Sequence, residues 1–346
     1  MCMDMKALIV GAGAQGAVIA GELLKSPDVT EIRLSDIDLK RAEGIAKSLE
    51  SDKVNTHRVD ANKVDDIMRA AKDVNLIVNA TTWIAQFNLN IMEAALKVGA
   101  HYEDMASFPA GVRYEDNVSY PPGQLSLMDK WKKAGLTALI DCGSSPGVTN
   151  VLAAHAADRL DRVEKVRVLL AGKVLKEAKE YVPAWSPETL WGDMARYSVV
   201  YEDGEFKRVP PWSGEEVYAF PDPIGPVTVY WHNHEEPETL GRFIGKGVRY
   251  ADFKMGGPEF SLAKAIFRHG LLDTKPREVK GVKVVPRDFF FALIPPTLPP
   301  EEVERKRKAG LLGEATWCML VEVHGEKAGE KLTYICLLYT SPSPRD

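Results

Sequence analysis

The sequence predicts an α/β protein whose first half folds as a doubly wound parallel sheet and whose second half is a separate, strand-rich domain. Three observations predict this. A short apolar run, Ala7 to Val10, stops at Gly11, and glycines recur at Gly13 and Gly16 before the small-residue run Ala17–Ala20. Short strand-like runs then alternate with helical stretches as far as Asp158. Repeated units of that size place helices on both faces of a parallel sheet. From Val163 the pattern shifts to strands bounded by turn signals.

The glycines come first. Gly11 makes the tight strand-to-helix turn, Gly13 lets a pyrophosphate approach the backbone, and Gly16 lets the helix pack close to the strand. Ala14 and Gln15 open the helix, whose free amides at the positive end of its dipole suit a diphosphate. This is the pattern of a Rossmann dinucleotide-binding turn. A helix over Ala14–Lys25 leads to a strand, Glu31–Ser35, and then to Asp36, 20 residues beyond Gly16. An acidic side chain there accepts hydrogen bonds from the adenosine ribose. A 2′-phosphate would meet a like charge, so NAD is expected over NADP, with Lys40 and Arg41 nearby as a counterweight. The competing role for Asp36 is as N-cap of a helix over Asp38–Glu50.

The alternation continues with a strand near Thr56–Val59, a helix Lys63–Lys72, and a strand Asn75–Asn79. A helix Asn88–Val98, a strand Ala100–Glu103, a helix Leu125–Ala134 and a strand Thr137–Asp141 follow. Asp60 and Ala61 end the third strand, where the adenine would lie. Ala80 and Thr81 end the fourth, beside the crevice at the carboxyl ends of the strands.

The whole chain sets limits. Its 346 residues allow two domains, expected over 1–160 and 161–335. A net charge of −5 without a basic block argues against nucleic acid or an anionic membrane as partner. No apolar run approaches the ~18 residues of a membrane span. Cys2, Cys142, Cys318 and Cys336 are scattered without C-x-x-C spacing, and a strand begins almost at the N-terminus, so a reduced, cytoplasmic chain is expected. The tail Cys336–Asp346, C-L-L-Y-T-S-P-S-P-R-D, changes character abruptly and resembles an in-frame translation of a sequencing adapter. Native sequence is therefore expected to end near Ile335 and to continue differently.

Two further stretches carry a family resemblance. Asn79–Ser107 contains A-A-L-K-V-G-A-H-Y-E-D-M-A, and Ile140–Ala153 reads I-D-C-G-S-S-P-G-V-T-N-V-L-A. With the glycine turn they resemble the saccharopine dehydrogenase family, including its lysine 6-dehydrogenase and carboxynorspermidine-type branches. Typical members carry "aGvhYvD" and "G-x-x-P-G-x-x-N/H" at these places. The resemblance covers most of residues 5–335. It implies a Rossmann domain followed by a catalytic α+β domain with a mixed sheet, and it implies hydride transfer between a nicotinamide and a carbon bearing an amine or imine. The strand-like segments Val163–Gly172, Val227–His232, Val248–Met255 and Ala315–His324 agree, with helices at Pro187–Tyr197, Pro258–His269 and Glu301–Ala309.

Such chemistry needs an acid or base, and a cation for any substrate carboxylate. Asp104 and Tyr102 flank the end of the fifth strand and are candidates to hold an amine or relay its proton; the alternatives are a turn cap and a packing ring. Asp141 to Gly147 form the second place. Pro146 and Gly147 are expected to open a helix over Val148–Asp158, with Gly147 near the cofactor and Asp141, Thr149 and Asn150 lining the substrate pocket. Cys142 is read as a packing residue because a thiol has an ordinary pKa of ~8.5. The third place, Tyr230–Leu240, resembles the family's "H-S-E-P-x-T-L-P" segment at His234, Glu236, Pro237, Thr239 and Leu240. It departs from that segment at Glu235 and Gly241. His232 and His234 would share one strand face, but no third ligand follows at a convincing interval, so no metal is expected. A His234–Glu236 acid/base pair is expected instead. Arg242, Arg249 and Lys254 are the candidate carboxylate clamps.

The expected function is an NAD(P)-dependent oxidoreductase acting on C–N bonds of an amino acid or diamine, first as a lysine 6-dehydrogenase-like oxidative deaminase. Reductive condensation of an amine with a carbonyl is the alternative, and a non-catalytic NAD-binding regulator the second. A homodimer or higher homo-oligomer is expected.

Overall fold

The computed structural model describes residues 4–81, 85–105, 123–183, 187–295, 297–298 and 300–340. The chain divides into two compact units, one ending at Val148 and the other taking up the chain at Thr149. Thr82 and the last residues of the Asn79–Ser107 motif, from Ala106, lie outside the described residues.

In the first unit, β1 (Met5–Val10), α1 (Ala14–Leu23), β2 (Val29–Asp36), α2 (Leu39–Ser48), β3 (Val54–Arg58) and α3 (Val64–Ala70) form one half. The other half contains β4 (Leu76–Asn79), α4 (Ala85–Val98), β5 (His101–Asp104), a 3-10 turn at Gln124–Leu127, α5 (Met128–Ala134) and β6 (Ala138–Leu139). The six strands pair in parallel in the order β3-β2-β1-β4-β5-β6. The doubly wound sheet is therefore present, with its order reversing between β1 and β4. Side-chain alternation explains the burial on both faces. Leu8, Val10 and Ile77 pack into one core layer, while Ile9, Ile32, Leu34 and Val78 pack into the opposite one.

The second unit begins with α6 (Val148–Ala157), β7 (Arg162–Lys176), α7 (Pro187–Asp193), β8 (Ser198–Glu202), β9 (Glu205–Val209), β10 (Glu216–Ala219) and β11 (Pro226–Trp231). It continues with α8 (Glu236–Phe243), β12 (Tyr250–Gly256), α9 (Phe260–Arg268), β13 (Arg277–Val279), β14 (Val282–Val284), α10 (Pro286–Leu293), α11 (Pro300–Lys308), β15 (Glu314–Lys327) and β16 (Glu330–Thr340). Its eight-stranded sheet runs β10-β11-β12-β7-β15-β16, with β8 and β9 attached at β12. The β12–β7 pair is parallel and the others are antiparallel, so the sheet is mixed. Val166, Val168, Phe253, Val321 and Val323 bury one face against α6, and Leu169, Ala171, Cys318 and Leu320 bury the other.

Several elements differ from the sequence reading. The strand through His232 stops at Trp231, and α8 begins at Glu236, because Pro237 sits in its first turn among Glu236 and Glu238. Pro146 does not open α6. It follows a cis peptide bond, and the helix starts at Val148. Asp38, not Asp36, caps α2 by accepting from Lys40 N. The hairpin β13–β14 and helix α10 carried no sequence expectation. Cys336–Thr340 continue β16 in register with β15, and residues 341–346 lie outside the described residues.

Candidate active site

The first unit assembles the predicted dinucleotide residues around the switch point. Gly11 has φ 109°, and a Cβ there would lie 2.6 Å from the Ala80 carbonyl oxygen. A Cβ on Gly16 would lie 1.9 Å from the Gly11 carbonyl oxygen, so the third glycine is what lets α1 rest on the turn. Gly13 faces open space, and a Cβ there would meet nothing within 4 Å. Asp36 joins the group by an unexpected route. Its Oδ2 accepts from Ala12 N at 2.9 Å and its Oδ1 from Asp38 N at 2.9 Å. A carboxylate is thus fixed between the glycine turn and the end of β2. Thr81 is held by the Asn79 side chain, and Ala80 N donates to the Val10 carbonyl. These residues fit a dinucleotide: Gly13 leaves the clearance, Ala14, Gln15 and Gly16 offer first-turn amides, and Asp36 supplies the acceptor. Asp60 instead closes an Asx turn onto Asn62, and Ala61 accepts from Asn90 through its carbonyl.

Asp104 and Tyr102 face inward. Tyr102 is buried, its hydroxyl donating to Asp104 Oδ2 at 2.8 Å and accepting from Asn79 Nδ2 at 3.2 Å. Gln124 Nε2 donates to the same Asp104 oxygen at 2.7 Å, and Asp141 N donates to Oδ1 at 2.9 Å. Burial raises the Asp104 carboxyl to about 6 against the pull of these donors. Asp104 ties the ends of β5 and β6 together, and Tyr102 links it to Asn79 at the end of β4. Asp141 is buried with φ 63° in the same network. Burial, then the charges of Glu103, Asp104 and Asp141, push the Cys142 thiol up to about 12, which keeps it neutral and agrees with a packing role. Gly147 has a reason within its own loop, since a Cβ there would lie 2.0 Å from the Gly143 carbonyl oxygen.

The second unit brings a different set together at the start of α8. His234 Nδ1 bonds Glu236 Oε2, with Glu235 at 3.4 Å. The His234 ring stacks on Phe253, with centroids 4.0 Å apart and planes 12° from parallel. Glu236 is fully buried, and its other oxygen accepts from Thr149 Oγ1 at 2.9 Å. Burial lowers the His234 pKa, but Glu236, Glu235 and Asp193 outweigh it and raise the group to about 9. His232 is the opposite case. It is buried beside Phe253 and Phe260, and burial followed by the His234 charge lowers it to about 3. One imidazole is held protonated at neutral pH and the other neutral, so they cannot act as a pair of equivalent ligands. His234, Glu235 and Glu236 do lie close enough to surround a cation.

Other expected members stand elsewhere. Thr149 is buried on Glu236, and Asn150 Nδ2 donates to Thr239 Oγ1 at 2.8 Å, so both fix the start of α8. Arg242 is exposed and stacks over Phe206, Arg249 pairs with Asp203, and Lys254 is buried on Glu216 and the Gly214 carbonyl. None of the three cations reaches the His234 cluster. Arg196 pairs with Asp193 at 2.9 Å, and Asp193 in turn bears on His234. Asp193 and Arg196 carried no sequence expectation, although their i,i+3 spacing on the helical Pro187–Tyr197 stretch was the available signal.

Comparison with known proteins follows this division. Residues 7–139 match the family model described as the saccharopine dehydrogenase NADP binding domain. The chain is 29% identical over 302 residues to carboxyaminopropylagmatine dehydrogenase of Synechocystis sp., covering 84% of this chain and 72% of that protein. It is 28% identical over 352 residues to carboxynorspermidine synthase of Vibrio cholerae, covering 94% and 79%. Among solved structures, GenD2 from gentamicin A biosynthesis in complex with NAD overlays with a TM-score of 0.42 at 12% identity, over 97% of this chain and 73% of that one. No helix among the described residues is long and apolar enough to cross a membrane.

Proposed function

We propose that the protein, whose residues 7–139 match the saccharopine dehydrogenase NADP binding domain, is an NAD(P)H-dependent oxidoreductase that forms a C–N bond by reductive condensation of an amine with a carbonyl compound. The observation that carries the direction is the likeness to both named relatives, and His234 supplies the proton that the reaction needs. Glu236, with Glu235 and Asp193, keeps its imidazole protonated at neutral pH. Reducing an imine requires one hydride on carbon and one proton on nitrogen. The condensation reading is preferred to the lysine 6-dehydrogenase-like one because both relatives favour it.

When bound, the reduced nicotinamide supplies the hydride. The first unit holds the dinucleotide through the amides opening α1, the clearance over Gly13 and the Asp36 carboxylate. We assign Asp36 to the ribose and a preference for NAD over NADP. In the second unit, Phe253 fixes the plane of His234, Thr149 fixes Glu236, and Glu236 fixes the imidazole and its charge. His234 then gives its proton to the imine nitrogen as the secondary amine forms, leaving a neutral ring that bulk water reprotonates. Asp104, bonded on both oxygens, serves as a brace rather than the acid.

The test is a cofactor-consumption assay on the full chain. NADH or NADPH should be consumed only when a diamine or guanidino-amine and an amino-acid semialdehyde are both present. Reduction of NAD by lysine alone, with no condensation in the reverse assay, would overturn the reading. Cofactor binding without turnover of any such pair would favour a regulatory protein.

A further inference from the structure

Behind the ring on which His234 stacks lies a layer of buried charge that no step above uses. Side chains alternate along a strand, so Phe253 meets His234 on one face of β12 while Asp252 and Lys254 stand on the other. Strand register brings Arg167 of β7, Trp231 of β11 and Glu216 of β10 onto that same face. Asp252 is fully buried. Its carboxylate accepts from Arg167 Nε at 3.0 Å and Nη2 at 3.2 Å, from Trp231 Nε1 at 3.3 Å and from the Tyr250 hydroxyl at 2.9 Å. Arg167 also bonds Glu216, which Lys254 reaches at 3.1 Å. One set of charges thus joins β7, β10, β11 and β12.

Along the same strands the neighbours on this face are Leu169, Ala171 and Val229, all buried. Apolar side chains could have continued that packing, since replacing a buried ion pair by apolar groups of similar volume is often neutral or stabilising. What the ions add is registry, because directed hydrogen bonds fix which residue stands beside which. The residue they fix is Trp231, the last of β11. Its indole donates to Asp252, and Lys254 Nζ lies 5.1 Å from the ring centroid. Gly214 packs so close that a Cβ there would lie 2.3 Å from the Trp231 ring. Trp231 pairs with Lys254, and His232 N then donates to the Phe253 carbonyl at 3.2 Å as the chain leaves the sheet. A slip of β11 by one residue would carry Trp231 to the Phe253 face and turn His232 away from it.

We propose that Arg167, Asp252 and Trp231 are positioning residues: together they lock the register of β11 on β12, and so set where the chain turns to bring His234 onto Phe253 and Glu236. The consequence for reaction rate rests on the function proposed above; the consequence for the His234 ring does not. Glu235, Glu236, Asp193 and His232 are the titratable groups that act with His234, and none belongs to the network. The titration of the imidazole therefore reports its position.

The test follows the ring carbon-13 signals of labelled histidine in the full chain against pH, with His232→Phe and His234→Ala as assignment controls. Arg167→Met combined with Asp252→Leu removes one charge of each sign, and Trp231→Phe removes the indole donor but keeps an aromatic ring. In the double variant the urea-unfolding midpoint should be equal or higher. Its His234 titration should fall from about 9 by about one pH unit or more. Its kcat should fall about 100-fold, the scale of a misplaced reacting group, with KM for the dinucleotide unchanged. Trp231→Phe should move the titration in the same direction by less. A shifted titration with an unchanged rate would support the lock and remove His234 from the mechanism. A titration still at about 9 in the double variant would overturn the proposal. Should that variant fail to fold, an unmoved titration in Trp231→Phe would overturn it.

Discussion

His232 and His234 stand two residues apart and titrate in opposite directions, because the chain leaves β11 between them. His232 still follows the strand inward against Phe253 and Phe260, while His234 turns onto Glu236 at the start of α8. Their shifts give a signed prediction for stability. The folded pKa of His232, about 3, lies below the ordinary 6.5, so its contribution is lost as pH falls below 6.5. That of His234, about 9, lies above 6.5, so its contribution is present below 6.5 and lost as pH rises toward 9. Urea unfolding of the second unit should therefore show a maximum near pH 6.5, and His232→Phe should flatten the acid side alone. Activity should follow the same imidazole. The reductive rate should fall above about pH 9, and His234→Ala should cost roughly 10²–10⁴-fold in kcat. Glu236→Gln should move the alkaline limb toward acid by about one pH unit or more. Full activity in both variants would remove this cluster from the mechanism.

At the scale of elements, the glycine turn separates folding from binding. Gly16→Ala places a Cβ on the Gly11 carbonyl, a backbone contact that can be relieved only by moving α1, and should cost about 1–3 kcal/mol in denaturant unfolding. Gly13→Ala meets open space at φ −84° and should leave stability nearly unchanged while weakening the dinucleotide. Similar stability losses in both would mean that Gly13 has a packing role. The turn was legible in the sequence because its parts lie close together along the chain and each answers a local demand. Helix α8 carried no sequence expectation: Pro237 among three glutamates is a local signal for it, but the H-x-H alternation points to a strand over the same residues. What decides between them is the bond from Thr149 to Glu236, 87 positions apart, and the parallel one from Asn150 to Thr239, 89 apart. No local pattern encodes those contacts.

For the whole molecule, the proposed reaction would be divided between the two units. Dinucleotide binding at the first should stabilise the folded chain by about 2.7 kcal/mol once free ligand stands about 100-fold above Kd. NAD should reach that shift at lower concentration than NADP, and Asp36→Ala should weaken NAD more than NADP. Because Asp36 also holds the Ala12 amide, some loss with both cofactors is expected; an equal loss would remove the ribose assignment. The sequence by itself determined the doubly wound sheet, its glycine turn and the acidic residue ending β2, since these rest on periodicity, turn chemistry and short spacings. Tertiary structure decided the ionisation and partners of the polar groups. It turned Tyr102 and Asp104 inward as a brace, seated Thr149 under Glu236, stacked Arg242 and buried Lys254 away from the site, and brought Asp193 and Arg196 into it. A side chain's charge depends on its desolvation and on neighbours supplied by distant parts of the chain, and only packing fixes those.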